Sequence, residues 1–116
     1  GVSADLDVLS LSSDQLIHFI VHVYRVAGVL SACGIKEKTL RTFARAVQGA
    51  YLPNPFHNFH HACAVMQMSF VMLCDIGSSK FLTATDTLAL LTAALCHDVG
   101  HPGLSNEFLI RTGSEL

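Results

Sequence analysis

Charge is scarce in this sequence, at 14% of residues, and its seven basic residues form no run that could follow a phosphate backbone. Nucleic-acid binding is therefore excluded as a first reading. Long apolar runs are also missing: the stretch from Leu88 to Cys96 falls short of the roughly eighteen residues that a bilayer span needs, and Thr92 interrupts it. Cysteine pairs are absent too, because Cys33, Cys63, Cys74 and Cys96 contain no CxxC spacing. Each lies in an apolar context that suits a buried, reduced thiol, so the expectation is an intracellular, cytoplasmic chain without a disulfide framework. The opening residues 1–7 carry two aspartates and no lysine or arginine, which excludes the basic start of a secretory signal and reads as an internal start. Alternation of strand period, internal repeats and low-complexity linkers are all lacking.

What remains is a single all-α unit. With 51% hydrophobic residues in 116, the chain can bury one core and is too short for two ordinary domains. Leu16, Ile17, Ile20, Val21, Tyr24, Val29 and Leu30 set a helical stripe from Ser13 to Cys33, opened by a Ser12–Gln15 capping box and closed by Gly34. Leu40, Phe43, Ala44 and Val47 predict a second helix from Lys36 to Tyr51, which Pro53 and Pro55 end. Asn54 as N-cap and Pro55 in the first helical position predict a long helix from about Phe56 to Cys74, ending near Gly77. A fourth begins at Thr83, paired with Asp86, and runs toward His97. Gly100, Pro102 and Gly103 break it, and a short helix from about Ser105 to Arg111 follows. Met66, Met68 and Met72 read as core packing.

Histidine is over-supplied for this composition. Five of the seven fall in two clusters, His57-His60-His61 and His97-His101. On one predicted helix His57 and His61 share a face, whereas His60 is turned about 100° away by the helical period and lies outside any shared site. His18 and His22 repeat the same spacing and are assigned to structure or solvent. The second cluster differs, because in CHDVGHPG an imidazole and a carboxylate, His97 and Asp98, stand side by side at a predicted helix end. Imidazole nitrogen and carboxylate oxygen suit zinc, manganese or magnesium, and a carboxylate can bridge two ions. Two histidines and one aspartate leave coordination positions open for water, whose pKa a bound ion lowers toward neutrality. No second cysteine stands at ligand spacing from Cys96, so that thiol reads as buried rather than as part of a structural zinc site.

The segments NPFHNFHHACAVMQ and LTAALCHDVGHPGLSNEFLIRTGSEL resemble the front metal-binding motifs of class I cyclic-nucleotide phosphodiesterases, within the His-Asp phosphohydrolase superfamily. The resemblance is strongest over residues 52–116 and lies in HNxxH (His57, Asn58, His61), HDxxHPGxxN (His97 to Asn106) and the closing Ser114-Glu115-Leu116. It implies a helical, HD-type catalytic domain of which residues 1–116 are the front portion. It further implies two divalent ions, zinc and magnesium or manganese, with His61, His97 and Asp98 as ligands and Asp98 shared between the ions. His57 is then the general acid that protonates the leaving 3′ oxygen, while His101, Asn106, Glu115 and Asn58 belong to the polar network that orients ligands and water. The implied reaction is hydrolysis of cAMP or cGMP to the 5′-nucleotide by a metal-activated hydroxide, in cyclic-nucleotide signalling, with regulatory domains outside this segment.

Two positions depart from the family pattern. Gly100 stands where the family usually has an acidic residue, and Ala64 where it commonly has an aspartate. The family's remaining metal aspartate, purine-binding glutamine and hydrophobic base clamp lie further along than Leu116. The segment alone is therefore expected to be inactive and to expose apolar surface. Two other readings stand beside this one. A phosphomonoesterase of the wider superfamily is opposed by the HNxxH and HPGxxN contexts, and a noncatalytic, degenerate phosphodiesterase module is kept open by Gly100.

Overall fold

A computed structural model describes residues 2–100, which form five α-helices and two 3-10 turns with no strand among them. Helix α1, Ser13–Val26, lies at the centre. Leu16, Ile17, Phe19, Ile20, Val21, Val23 and Tyr24 are all buried, so its apolar surface covers most of its circumference, and it packs against α3 and α4 at once. The Ser12–Gln15 capping box is present in both directions.

The predicted Ser13–Cys33 helix is in fact two. Helix α1 stops at Val26, Gly28 takes a left-handed φ of 76°, and the one-turn helix α2 covers Val29–Ala32. A left-handed residue cannot sit inside an α-helix, and glycine adopts it without a Cβ penalty. The apolar stripe ran on unbroken because Val29 and Leu30 face the same core as α1. Helix α3, Glu37–Ala50, places Leu40, Ala44 and Val47 on α1, and its far side is polar and exposed.

Helix α4, Phe59–Asp75, begins three residues later than the sequence predicts. Asn54 does cap, but it caps a turn: its Oδ1 accepts from the backbone N–H of Phe56 at 2.8 Å and of His57 at 3.0 Å. The helix N-cap is Asn58, whose extended backbone lets its Oδ1 accept the His61 N–H at 2.9 Å. Its amide in turn donates to the Asn54 carbonyl, so two asparagines with the same cap chemistry share the entry into one helix. Helix α5, Ala84–Cys96, starts at the expected Thr83–Asp86 capping box and lies along α4, burying Leu91 and Leu95 beside Ala62, Cys63 and Met66.

One buried polar group ties the chain's start to this pair of helices. Gln67, on α4, donates from Nε2 to the carbonyls of Ser3 and Leu6, at 2.7 and 3.0 Å. Two sequence expectations need correction here. Only Cys63 is a buried thiol; Cys33 and Cys96 are half-buried and Cys74 is exposed. Of the three methionines only Met66 packs in the core, while Met68 and Met72 face outward with Leu90, Phe81 and Ile76, because α4 and α5 have one face with no covering layer among the described residues. The helix predicted from Ser105 to Arg111 lies outside the described residues.

Candidate metal centre

The end of α5 and the start of α4 meet at one corner of the fold. His61 stands in the first turn of α4, and His97 caps the C-terminus of α5 with Asp98 next in the chain. One ligand atom from each of His61, His97 and Asp98 lies within 4.8 Å of the others. The His61 and His97 ring centroids are 5.9 Å apart, and those of His57 and His61 are 6.4 Å apart. His57 reaches this cluster from the loop ahead of α4 rather than from the helix itself. The expected proximity is kept, but the Asn54 turn and the Asn58 cap produce it instead of an i, i+4 helical face.

The His97 imidazole is oriented by backbone. His97 Nδ1 donates to the Ala94 carbonyl at 2.6 Å, since a carbonyl can only accept. In the neutral ring the lone pair then sits on Nε2, which lies 2.9 Å from Asp98 Oδ2. The same carboxylate oxygen is 3.0 Å from His57 Nδ1, and the Asp98 side chain is only 15% exposed. A neutral imidazole lone pair and a carboxylate oxygen at that separation repel unless a proton or a cation lies between them. Together with His61 they form a nitrogen, nitrogen and oxygen donor set suited to a divalent transition ion, so these residues fit the group that the motif implies.

Tyr51 completes the corner, and no sequence pattern pointed to it. It is the C-cap of α3, its ring lies against Phe59 at 6.1 Å, and its hydroxyl donates to the Leu95 carbonyl at 2.6 Å. The same oxygen accepts the Asp98 N–H at 3.3 Å. Burial raises the phenol above its ordinary value, the bond from Asp98 opposing this in part, so the hydroxyl keeps its proton near neutrality. Gly100 holds a φ of 73°, and its N–H donates to the Ala50 carbonyl at 3.2 Å. Glycine adopts this left-handed backbone without a Cβ penalty.

His60 lies outside the cluster, as its helical angle predicts: its Nε2 donates to the Leu11 carbonyl at 2.8 Å. His18 is exposed, with Nδ1 3.2 Å from the Arg41 guanidinium, in keeping with its assignment to structure or solvent. Asn58 serves the site through the start of α4, both ends of its amide being used in capping. His101, Asn106 and Glu115 lie outside the described residues.

A helical scaffold that brings His61, His97 and Asp98 together where two helices meet offers a donor set for a divalent ion, and direct comparison identifies the class of protein it belongs to. The model of the 3′5′-cyclic nucleotide phosphodiesterase family matches residues 56–116, and the chain belongs to that family. It is 39% identical over 112 residues to the human high affinity cGMP-specific 3′,5′-cyclic phosphodiesterase 9A, covering 95% of this chain and 18% of that protein. A Dictyostelium discoideum cGMP-specific 3′,5′-cGMP phosphodiesterase 3 is 34% identical over 107 residues, covering 92% of this chain and 23% of its own length. The crystal structure of the phosphodiesterase domain of the RhoPDE fusion protein from the choanoflagellate Salpingoeca rosetta superposes with a TM-score of 0.93 at 37% identity. That superposition covers 99% of this chain and 36% of the solved one. The all-α architecture is thus that of phosphodiesterase domains, and the chain spans about a fifth of the length of these curated relatives. No helix among the described residues is long and apolar enough to cross a membrane.

Proposed function

We propose that the complete protein hydrolyses 3′,5′-cyclic nucleotides to 5′-nucleotides in cyclic-nucleotide signalling, with residues 1–116 forming the front of its catalytic domain. The observation that carries this reading is the approach of His61, His97 and Asp98 within 4.8 Å, with the His57 ring against the same carboxylate. His61, His97 and Asp98 would hold the first of two divalent ions, zinc, and Asp98 would be shared with the second, magnesium or manganese. When bound, such ions supply positive charge for the phosphate oxygens and lower the pKa of water.

The chain's own side chains do the rest. Asp98 brings negative charge to the centre and accepts from His57 Nδ1, which fixes the ring so that Nε2 of the imidazolium would be the nitrogen that presents a proton to a departing 3′ oxygen. The Ala94 carbonyl locks the tautomer of His97. Asn58 sets the first turn of α4 and with it His61. His101, Asn106 and Glu115 would orient ligands and water from the segment after Gly100. The base pocket and any regulatory domains belong to the rest of the protein, whose relatives are several times longer than this chain.

The test is hydrolysis of cAMP and cGMP by the longest natural chain containing this segment, with manganese or magnesium added, beside its Asp98→Ala variant. The parent should turn over at least one nucleotide. The variant should lose at least about a hundredfold in rate, as expected when a group that carries the charge stabilisation is removed. A parent that binds metal and hydrolyses neither nucleotide would refute the enzymatic reading in favour of a noncatalytic module.

A further inference from the structure

We infer that Tyr51 is the positioning residue that sets His97 and Asp98 in register with His61, acting through its hydroxyl on the backbone where α5 ends. This rests on the metal-centre reading above and concerns a residue outside the ligand set.

The reason lies in the backbone hydrogen bonds of α5. In a continuing helix the Asp98 N–H would bond to the Ala94 carbonyl. Here the Ala94 carbonyl accepts from the His97 ring instead, at 2.6 Å, so the Asp98 N–H needs another acceptor. Tyr51 Oη provides it at 3.3 Å. Leu95, one residue after Ala94 in the last turn of α5, presents a carbonyl in need of a donor, and the same hydroxyl satisfies it at 2.6 Å. One phenol therefore both donates and accepts across the turn in which His97 and Asp98 leave the helix.

The ring provides the second half of the coupling. It lies against Phe59, the first residue of α4, two positions before His61. Tyr51 thus touches both motifs, one through its ring and the other through its oxygen, and the neighbouring Ala50 carbonyl takes the Gly100 N–H. Without the hydroxyl, the Asp98 N–H loses this acceptor and the Leu95 carbonyl loses this donor, which weakens the tie that holds the turn in place beside His61.

The experiment uses the longest natural chain containing the segment, stripped of metal. Zinc and manganese affinity are read by chelator competition without nucleotide, beside the thermal midpoint of the apo protein. Tyr51→Phe keeps the ring and removes the oxygen; its metal affinity should fall by about tenfold, at the low end of what supporting partners of metal ligands contribute. A control away from this corner, Ile20→Val in the buried face of α1, should lower the midpoint and leave affinity unchanged. Unchanged affinity in Tyr51→Phe with a lowered midpoint would overturn the inference, leaving Tyr51 as a packing residue only. Should Tyr51→Phe fail to fold, 4-aminophenylalanine at position 51 keeps the ring and the donor to Leu95 but is a poor acceptor. It should still weaken metal binding by at least about threefold, and no weakening would overturn the inference. Because affinity is read without substrate, the result stands whether or not the parent hydrolyses cyclic nucleotides.

Discussion

At the scale of single residues, the two histidines nearest Asp98 are held by different partners, one by a backbone carbonyl and one by the carboxylate, and the proposed function gives them different tasks. His97 has its Nδ1 spent on the Ala94 carbonyl and offers Nε2 to the centre, which is the arrangement of a ligand. His57 rests Nδ1 on the Asp98 carboxylate and is, in the proposed reaction, the proton donor. The two therefore predict different failures. In the complete protein His57→Gln should cost about 10²- to 10⁴-fold in kcat, the usual contribution of a positioned proton donor, and leave metal binding largely intact. His61→Ala should weaken the metal itself. Measuring metal content and kcat on both variants checks the division, and a His57→Gln protein that loses its metal would move His57 into the ligand set.

At the scale of elements, the glycine between α1 and α2 is the clearest local determinant. Gly28 holds φ at 76°, and a Cβ built there meets nothing within 4 Å, so substitution costs backbone strain and no clash. Gly28→Ala should therefore lower stability by about 1 kcal/mol, the left-handed penalty of roughly 1–2 kcal/mol offset in part by a less flexible unfolded chain. Urea midpoints with an unchanged m-value would show it, and Gly28→Asn should cost less than alanine because asparagine tolerates the left-handed region. The same glycine shows where the sequence was legible and where it was not. Capping boxes at Ser12 and Thr83 announced two helix starts correctly, because side-chain chemistry fixed by spacing i, i+3 is local. The break at Gly28 was hidden by hydrophobic periodicity, which reports a shared core face and not helical continuity. The start of α4 was placed three residues early because Asn54, read as its N-cap, caps a turn instead, and Asn58 caps the helix. The family resemblance groups His61, His97 and Asp98, and the structure brings a ligand atom of each within 4.8 Å of the others, whereas Tyr51 could not be foreseen: its contacts reach 44 and 47 residues along the chain to an isolated backbone carbonyl and N–H, which leave no trace in the sequence. Gln67 escaped notice for the same reason, its partners being the carbonyls of Ser3 and Leu6.

At the scale of the whole molecule, the two groups buried deepest between α1, α4 and α5 make the fold sensitive to alkali. Burial pushes the Cys63 thiol from its ordinary 9.0 up to about 12, and it pushes the Tyr24 phenol from 10.0 to about 12 although Thr92 shares a 3.0 Å hydrogen bond with its hydroxyl. Below the ordinary values both states hold these protons and neither group makes stability depend on pH. Above about 9 the unfolded chain gives up the cysteine proton, and above about 10 the tyrosine proton, while the folded chain keeps both. The unfolded state then binds fewer protons, and the free energy of unfolding falls as pH rises, until the folded groups titrate near 12. Each fully developed pH unit removes about 1.4 kcal/mol per group, so Cys63 alone can withdraw stability on the order of 4 kcal/mol across its window. In the complete protein, urea midpoints measured from about pH 8 to pH 11 should therefore decline, with the slope steepening once the tyrosine joins in above about pH 10. Cys63→Ala separates the two groups. It starts less stable at neutral pH, because a buried side chain is truncated, yet it should lose less stability between about pH 9 and pH 10, where thiols act before phenols and Cys96, also raised by burial, is what remains. A variant that declines as steeply as its parent over that interval would show that Cys63 titrates normally, and hence that the seam between α4 and α5 admits water.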